Sequence, residues 1–124
     1  IHALETVYPI VGPGFESIQN IGDKNSNIVH LHHSKGIDIN IANIHDMLGG
    51  FGLISLMGTK GGIQIKSTDT YYAFKKQLQS YVNYLQTGHK PVPWNETYEL
   101  MQLVSAGIES REKGGIKITL NKDN

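Results

Sequence analysis

The sequence predicts an α+β fold in which helices cover one face of a largely antiparallel open sheet of about five or six strands. Three observations carry that reading. Short runs with period-2 alternation fill the chain from Phe15 to Lys66, joined by turns rich in glycine and asparagine. The period changes to 3.6 from Phe74 to Lys113, where two amphipathic stretches flank the linker Gly88-His89-Lys90-Pro91-Val92-Pro93-Trp94. A final strand candidate, Ile116–Leu120, follows the second stretch.

Taken in order, His2 to Val11 places apolar residues at Ala3, Leu4, Val7, Tyr8, Ile10 and Val11. This is a short helix that Pro9 weakens and Gly12-Pro13-Gly14 ends. A helix of that length does not hold alone, so it is expected to dock on the remainder. Phe15–Ile21 alternates weakly, with Phe15, Ser17 and Gln19 against Glu16, Ile18 and Asn20. The polar cluster from Gly22 to Asn27 turns the chain. Ile28–His33 is a second strand, and Ser34-Lys35-Gly36 offers a hairpin turn. Ile37–Ile44 has the cleanest alternation, with Ile37, Ile39 and Ile41 on one face and Asp38, Asn40 and Ala42 on the other.

Asp46–Phe51 reads as a loop. Gly52–Gly58 and Ile63–Lys66 form a hairpin around Thr59-Lys60-Gly61-Gly62. Ser67-Thr68-Asp69-Thr70 supplies N-cap oxygens for a helix whose stripe is Phe74, Leu78, Tyr81, Val82 and Leu85, with Gly88 suited to its C-terminal stop. Asn95 is placed to cap the second helix. Its stripe is Thr97, Leu100, Met101, Val104, Gly107 and Ile108, and Glu99, Gln102, Glu109 and Glu112 lie on the other face. Gly107 costs about 1 kcal/mol relative to alanine inside a helix, so a close approach to another backbone is expected there. Trp94 is expected to plug the sheet–helix junction, and the aromatic group Tyr71, Tyr72, Phe74, Tyr81 and Tyr84 to serve as core and rim. Gly114-Gly115 ends the helix, and Asn121–Asn124 is a polar tail.

The 124 residues fit one domain, 1–124, with one core. Acidic and basic residues balance at 11 each, which leaves no electrostatic footprint for nucleic acid or an anionic membrane surface. The chain has no cysteine, so disulfides and thiolate metal sites are excluded. No apolar run reaches the ~18–20 residues of a membrane-spanning helix, and no signal-peptide pattern is present. The expectation is a cytoplasmic protein with no nucleic-acid or membrane partner.

His30 and His32, at i and i+2 on a strand, share a face that Asp38 on the next strand can approach. With His33 they invite a metal reading. No further carboxylate or thiolate is spaced to complete a site, so the expectation is a polar sheet face and no metal. His45-Asp46 is a loop pair. Asn95-Glu96-Thr97 matches a glycosylation sequon, which carries little weight without a secretory signal.

The second half also resembles a known family. The stretches that carry the resemblance are Met57-Gly58-Thr59-Lys60-Gly61-Gly62-Ile63, then Phe74-Lys75-Lys76-Gln77-Leu78-Gln79-Ser80-Tyr81-Val82. Gly88-His89-Lys90-Pro91-Val92-Pro93 follows, and then the run from Glu99-Leu100-Met101 to Ala106-Gly107-Ile108-Glu109-Ser110-Arg111-Glu112-Lys113-Gly114-Gly115. In this order they resemble the C-terminal domain of the Gfo/Idh/MocA oxidoreductases, the NAD(P)-dependent sugar and inositol dehydrogenases. His2-Ala3-Leu4-Glu5 followed by Gly12-Pro13-Gly14-Phe15-Glu16-Ser17-Ile18 is similar to the stretch where those chains leave their nucleotide-binding half. Asn20–Phe51 matches least.

The resemblance implies that His2 hydrogen-bonds a substrate hydroxyl and takes part in proton transfer, a role suited to imidazole. The aspartate that precedes this histidine in the family lies outside the chain, and a frayed terminal histidine is the plain alternative. Glu5 and His45 are implied as substrate-pocket residues, against readings as a solvent-facing carboxylate and a loop histidine. NAD or NADP is implied for the parent enzyme. The chain itself has no G-x-G-x-x-G opening a helix after a strand, so the Rossmann half is expected upstream and this portion alone to bind no cofactor. The implied partners are that half, a small-molecule substrate, and further copies of the chain meeting through the open sheet face. The alternative is a stand-alone binding or oligomerisation module.

Overall fold

The computed structural model describes residues 1–46, 52–66 and 68–120. Most of the loop expected over Asp46–Phe51, the cap candidate Ser67 and the tail Asn121–Asn124 lie outside those residues. Three helices and six strands are present among the described residues, and every strand pairing is antiparallel. The α+β antiparallel class therefore holds. The strands fall into two sheets, one of four and one of two, and the chain divides into two compact units. The first unit is Ile1–Met47 with Trp94–Asn124, and the second is Leu48–Pro93.

The first unit contains α1 (His2–Val11), β1 (Phe15–Asn20), β2 (Ser26–His33), β3 (Ile37–Ile44), α3 (Trp94–Glu112) and β6 (Ile118–Thr119). Its sheet runs β3-β2-β1-β6. β3 keeps the bounds its alternation gives, and its register sets Leu31 opposite Ile39 and Val29 opposite Ile41. β2 starts two residues earlier than expected, because Ser26 and Asn27 pair with Ile44 and Asn43. β1 departs from simple alternation: a bulge between Phe15 and Ser17 puts Phe15 on the same face as Ile18. The weak pattern in the sequence is that bulge. Phe15 and Ile18 are both buried, and neither lies with Gln19.

One core joins α1, the sheet and α3. It consists of Leu4, Tyr8, Val11, Phe15, Ile18, Leu31, Leu100, Leu103 and Ala106. Helices α1 and α3 thus share one sheet face. The inward stripe of α3 is Leu100, Leu103, Ala106, Gly107 and Ser110. Met101 and Ile108, expected inside, are exposed at 50% and 42%, and Trp94 plugs no junction, being 70% exposed. The difference arises from polar burial: Ser110 is fully buried because its hydroxyl accepts from Asn20 N–H at 2.9 Å and donates to the Ile116 carbonyl. That turns the helix away from the purely apolar stripe.

At Gly107 a side chain takes the place of the expected backbone neighbour. A Cβ there would sit 3.1 Å from Ile18 Cδ1, so the close neighbour is a side chain rather than backbone. α3 begins at Trp94, which leaves Asn95 inside the first turn rather than before it. β6 is shorter than Ile116–Leu120 because the Ile116 and Gly115 carbonyls are taken by Ser110 and by the Gln19 side chain.

The second unit contains β4 (Leu53–Gly58), β5 (Gly61–Lys66) and α2 (Thr70–Thr87). β4 and β5 form the expected hairpin, with Gly58 opposite Gly61. Asp69 caps α2 by accepting from Tyr72 N–H at 2.8 Å, and Gly88 closes it in the left-handed conformation. The stripe Phe74, Leu78, Tyr81, Val82 and Leu85 is present on α2, but none of its residues is buried. Tyr71 and Tyr72 are exposed too, so the aromatic group forms no core here.

Candidate functional site

His2 and Glu5 lie one turn apart on α1, and His2 Nδ1 is 3.0 Å from Glu5 Oε2. A carboxylate only accepts, so Nδ1 carries the proton and Nε2 is the lone-pair nitrogen of the neutral ring. The His2 side chain is 83% exposed. A histidine whose far nitrogen is held by a carboxylate is oriented for proton exchange with a hydroxyl.

The end of α1 is held far more firmly than its start. Ile1 at the N-cap gives no side-chain bond, and Pro9 inside the helix has no N–H to donate. At the other end Glu99 from α3 reaches the corner between α1 and β1. Its Oε2 accepts from the Tyr8 hydroxyl at 2.7 Å, and its Oε1 accepts from Gly14 N–H and Phe15 N–H, each at 2.9 Å. Burial, followed by the hydrogen bond and charge of Glu99 and the charge of Glu96, pushes the Tyr8 phenol far above its ordinary pKa. It therefore stays protonated and donating at neutral pH.

The same corner is gripped from β2. His33 is fully buried and packs edge-on against Phe15, with ring centroids 5.1 Å apart. Its Nε2 lies 3.0 Å from the Pro13 carbonyl and 3.3 Å from that of Gly12, while its Nδ1 accepts from Lys35 N–H at 3.1 Å. Only the Nε2–H tautomer satisfies these partners. Lys35 Nζ donates to the last carbonyl of α1, Val11 O, at 2.6 Å, where the helix dipole favours a cation.

His30 and His32 share the opposite, polar face. Cross-strand pairing places His32 against Asp38 and His30 against Asn40. His32 Nδ1 lies 2.8 Å from Asp38 Oδ1, and His30 Nδ1 lies 3.0 Å from Asn40 Oδ1. His33 points the other way and takes no part. Among the described residues no group of three or more histidine or acidic side chains is arranged to hold a metal ion.

The hydrogen bond from His32, then the nearby charges of His32, His30 and Lys117, hold the Asp38 carboxyl below the usual aspartate range. A lowered folded-state value contributes stability above the ordinary pKa of 3.8 that is lost as pH falls through the folded value. A carboxyl-carbon NMR titration is expected to give Asp38 a midpoint below 3.8, moving up in His32→Ala. A wild-type midpoint at or above the ordinary value contradicts this.

His45 follows β3. Its N–H donates to Asn25 O at 2.6 Å, and its Nε2 lies 3.5 Å from Asp46 Oδ1. The structure thus brings His2 to Glu5, while His45 meets Asp46 rather than either of them. Glu99 was not legible as part of a site. Its signal is positional: 99, 103, 106 and 110 share one helical face, which makes Glu99 a carboxylate on the inward stripe.

No family model, curated protein or solved structure matches the chain. No described helix is long and apolar enough to cross a membrane.

Proposed function

We propose that the chain is the C-terminal, substrate-side portion of an NAD(P)-dependent oxidoreductase of the Gfo/Idh/MocA type. Its substrate would be the hydroxyl or carbonyl of a sugar, polyol or related small molecule. The observation that supports this most is the exposed His2 with Glu5 on its Nδ1, at the position where the resemblance expects the proton-transfer histidine. The ordered motifs fall on fitting elements as well: Gly58–Gly62 at the β4–β5 turn, and Gly88–Pro93 between α2 and α3.

In this reading His2 Nε2 exchanges a proton with the substrate hydroxyl, and Glu5 holds the ring and its tautomer. The glycine-rich turn among the described residues does not fit a dinucleotide. The Gly58–Gly62 turn joins two antiparallel strands and opens no helix, so it offers no helix N-terminus to a pyrophosphate. Nicotinamide binding belongs, in this proposal, to a Rossmann portion encoded upstream of Ile1. Copies of the chain associate through the sheet face that carries Gln19, His30, Asn40 and Ala42, opposite the face covered by α1 and α3.

The test starts with the coding sequence before Ile1, where a strand, a G-x-G-x-x-G turn and a helix are expected. In that longer protein His2→Ala should lower kcat by about a hundred- to ten-thousand-fold, with cofactor affinity unchanged. An initiation codon beside Ile1, or full activity in His2→Ala, overturns the proposal. The first outcome favours a stand-alone binding or oligomerisation module.

A further inference from the structure

We infer that Glu99 is the positioning residue for α1 and, through α1, for His2. The His2 half of this inference rests on the function proposed above, whereas the α1 half does not. The reasoning begins with what α1 lacks. It has ten residues, an internal proline and no side-chain cap at its start, and helices of that length do not persist on their own. Its placement therefore comes from outside: Leu4, Tyr8 and Val11 pack into the core, and the hydrogen bonds that anchor it to other segments sit toward its C-terminal end.

Glu99 makes the contact that ties helix to strand. One carboxylate oxygen takes the Tyr8 hydroxyl, which lies within α1. The other takes the N–H groups of Gly14 and Phe15, where β1 begins. The corner between them is shaped for this grip. Gly14 has φ of 119°, and a Cβ on it would lie 2.6 Å from Ser34 Oγ, so another residue there strains the backbone and crowds the turn. Lys35 and His33 hold the same corner from β2 and its turn, through Val11 O and through the Gly12 and Pro13 carbonyls. Those contacts fix the corner against the sheet. Beside the shared core of Leu4, Tyr8, Val11, Leu100 and Leu103, Glu99 gives α1 a directional tie to α3, because it accepts a hydrogen bond from the Tyr8 side chain of α1.

Hydrogen exchange read by mass spectrometry on the 124-residue chain tests the α1 half. Glu99→Gln keeps the shape, but it sets an amide N–H₂ where the carboxylate accepts. It is expected to speed exchange across α1 by about tenfold while β2 and β3 keep their protection. Tyr8→Phe, which keeps the buried ring and removes one bond, should give a smaller change of the same kind. Glu109→Gln, at an exposed site on α3, should leave α1 unchanged. The NMR cross-peak between the His2 ring and the Glu5 side chain should weaken in Glu99→Gln. Unchanged exchange in α1, or a rise shared equally by α1, β2 and β3, overturns the inference.

The longer protein separates this inference from the proposed function. A wild type without dehydrogenase activity defeats the function and leaves the exchange result standing. An active wild type whose Glu99→Gln variant keeps full kcat defeats the His2 half of the inference alone.

Discussion

Leu103→Ala is expected to lower the unfolding free energy by about 2–5 kcal/mol. Leu103 is fully buried, in one cluster with Ile18, Leu31, Leu100 and Ala106. Truncation removes its transfer free energy and leaves a cavity among close-packed core side chains that cannot all close in. Small domains have only about 5–15 kcal/mol in total, so the variant should lose a large share of its stability. Urea unfolding followed by far-UV circular dichroism measures it, since the exposed Trp94 is a poor reporter of the core. Leu85→Ala, at a leucine 63% exposed on α2, should change stability by no more than about 0.5 kcal/mol. A loss below about 1 kcal/mol for Leu103→Ala contradicts the packing described.

Ser110→Ala is expected to cost about 1–3 kcal/mol, although it deletes a single oxygen. That oxygen accepts from Asn20 N–H and donates to Ile116 O, and Ser110 and Asn20 are both buried. Without it the buried Asn20 N–H loses its partner, and the penalty is chiefly the desolvation of that donor, while the part-buried Ile116 carbonyl loses its own. The control is Ser105→Ala on the same helix. Ser105 is exposed, and alanine is the better helix former, so that change should be neutral or slightly stabilising. Equal effects at 105 and 110 would refute the role given to the Ser110 hydroxyl.

Period and punctuation made much of the fold legible. β3 alternates without interruption because one face is half-buried and the other open, so its sequence carries the pattern cleanly. The hairpin turn at Gly36, the Asp69 cap and the Gly88 stop each follow from local chemistry that needs no distant partner. The parts that stayed hidden are those where a polar group is buried. Glu99, Ser110, Asn20 and His33 are drawn inward by hydrogen bonds, and the partners that matter come from other segments of the chain, where no local pattern in the sequence shows them. The bulge in β1 hid in the same way, since one extra residue reads as poor alternation. The candidate site divides along that line. His2 and Glu5 are three residues apart on one helix, so their pairing follows from spacing, whereas the carboxylate that holds their helix comes from far along the chain.

The discontinuity of the first unit bears on how the chain folds. Ser17 and Ile18 pair with Thr119 and Ile118, so the four-stranded sheet closes only after nearly the whole chain has been spanned. Contacts so distant in sequence slow the folding transition, because loop-closure entropy is spent before they reward it. The β2–β3 hairpin needs only the turn at 34–36 and is placed to form early. The intervening second unit acts as a long insertion within the first. Its length adds little to the closure term, which grows only as about (3/2)RT ln n. Shortening or lengthening it should therefore alter the folding rate of the core far less than removing the two residues of β6.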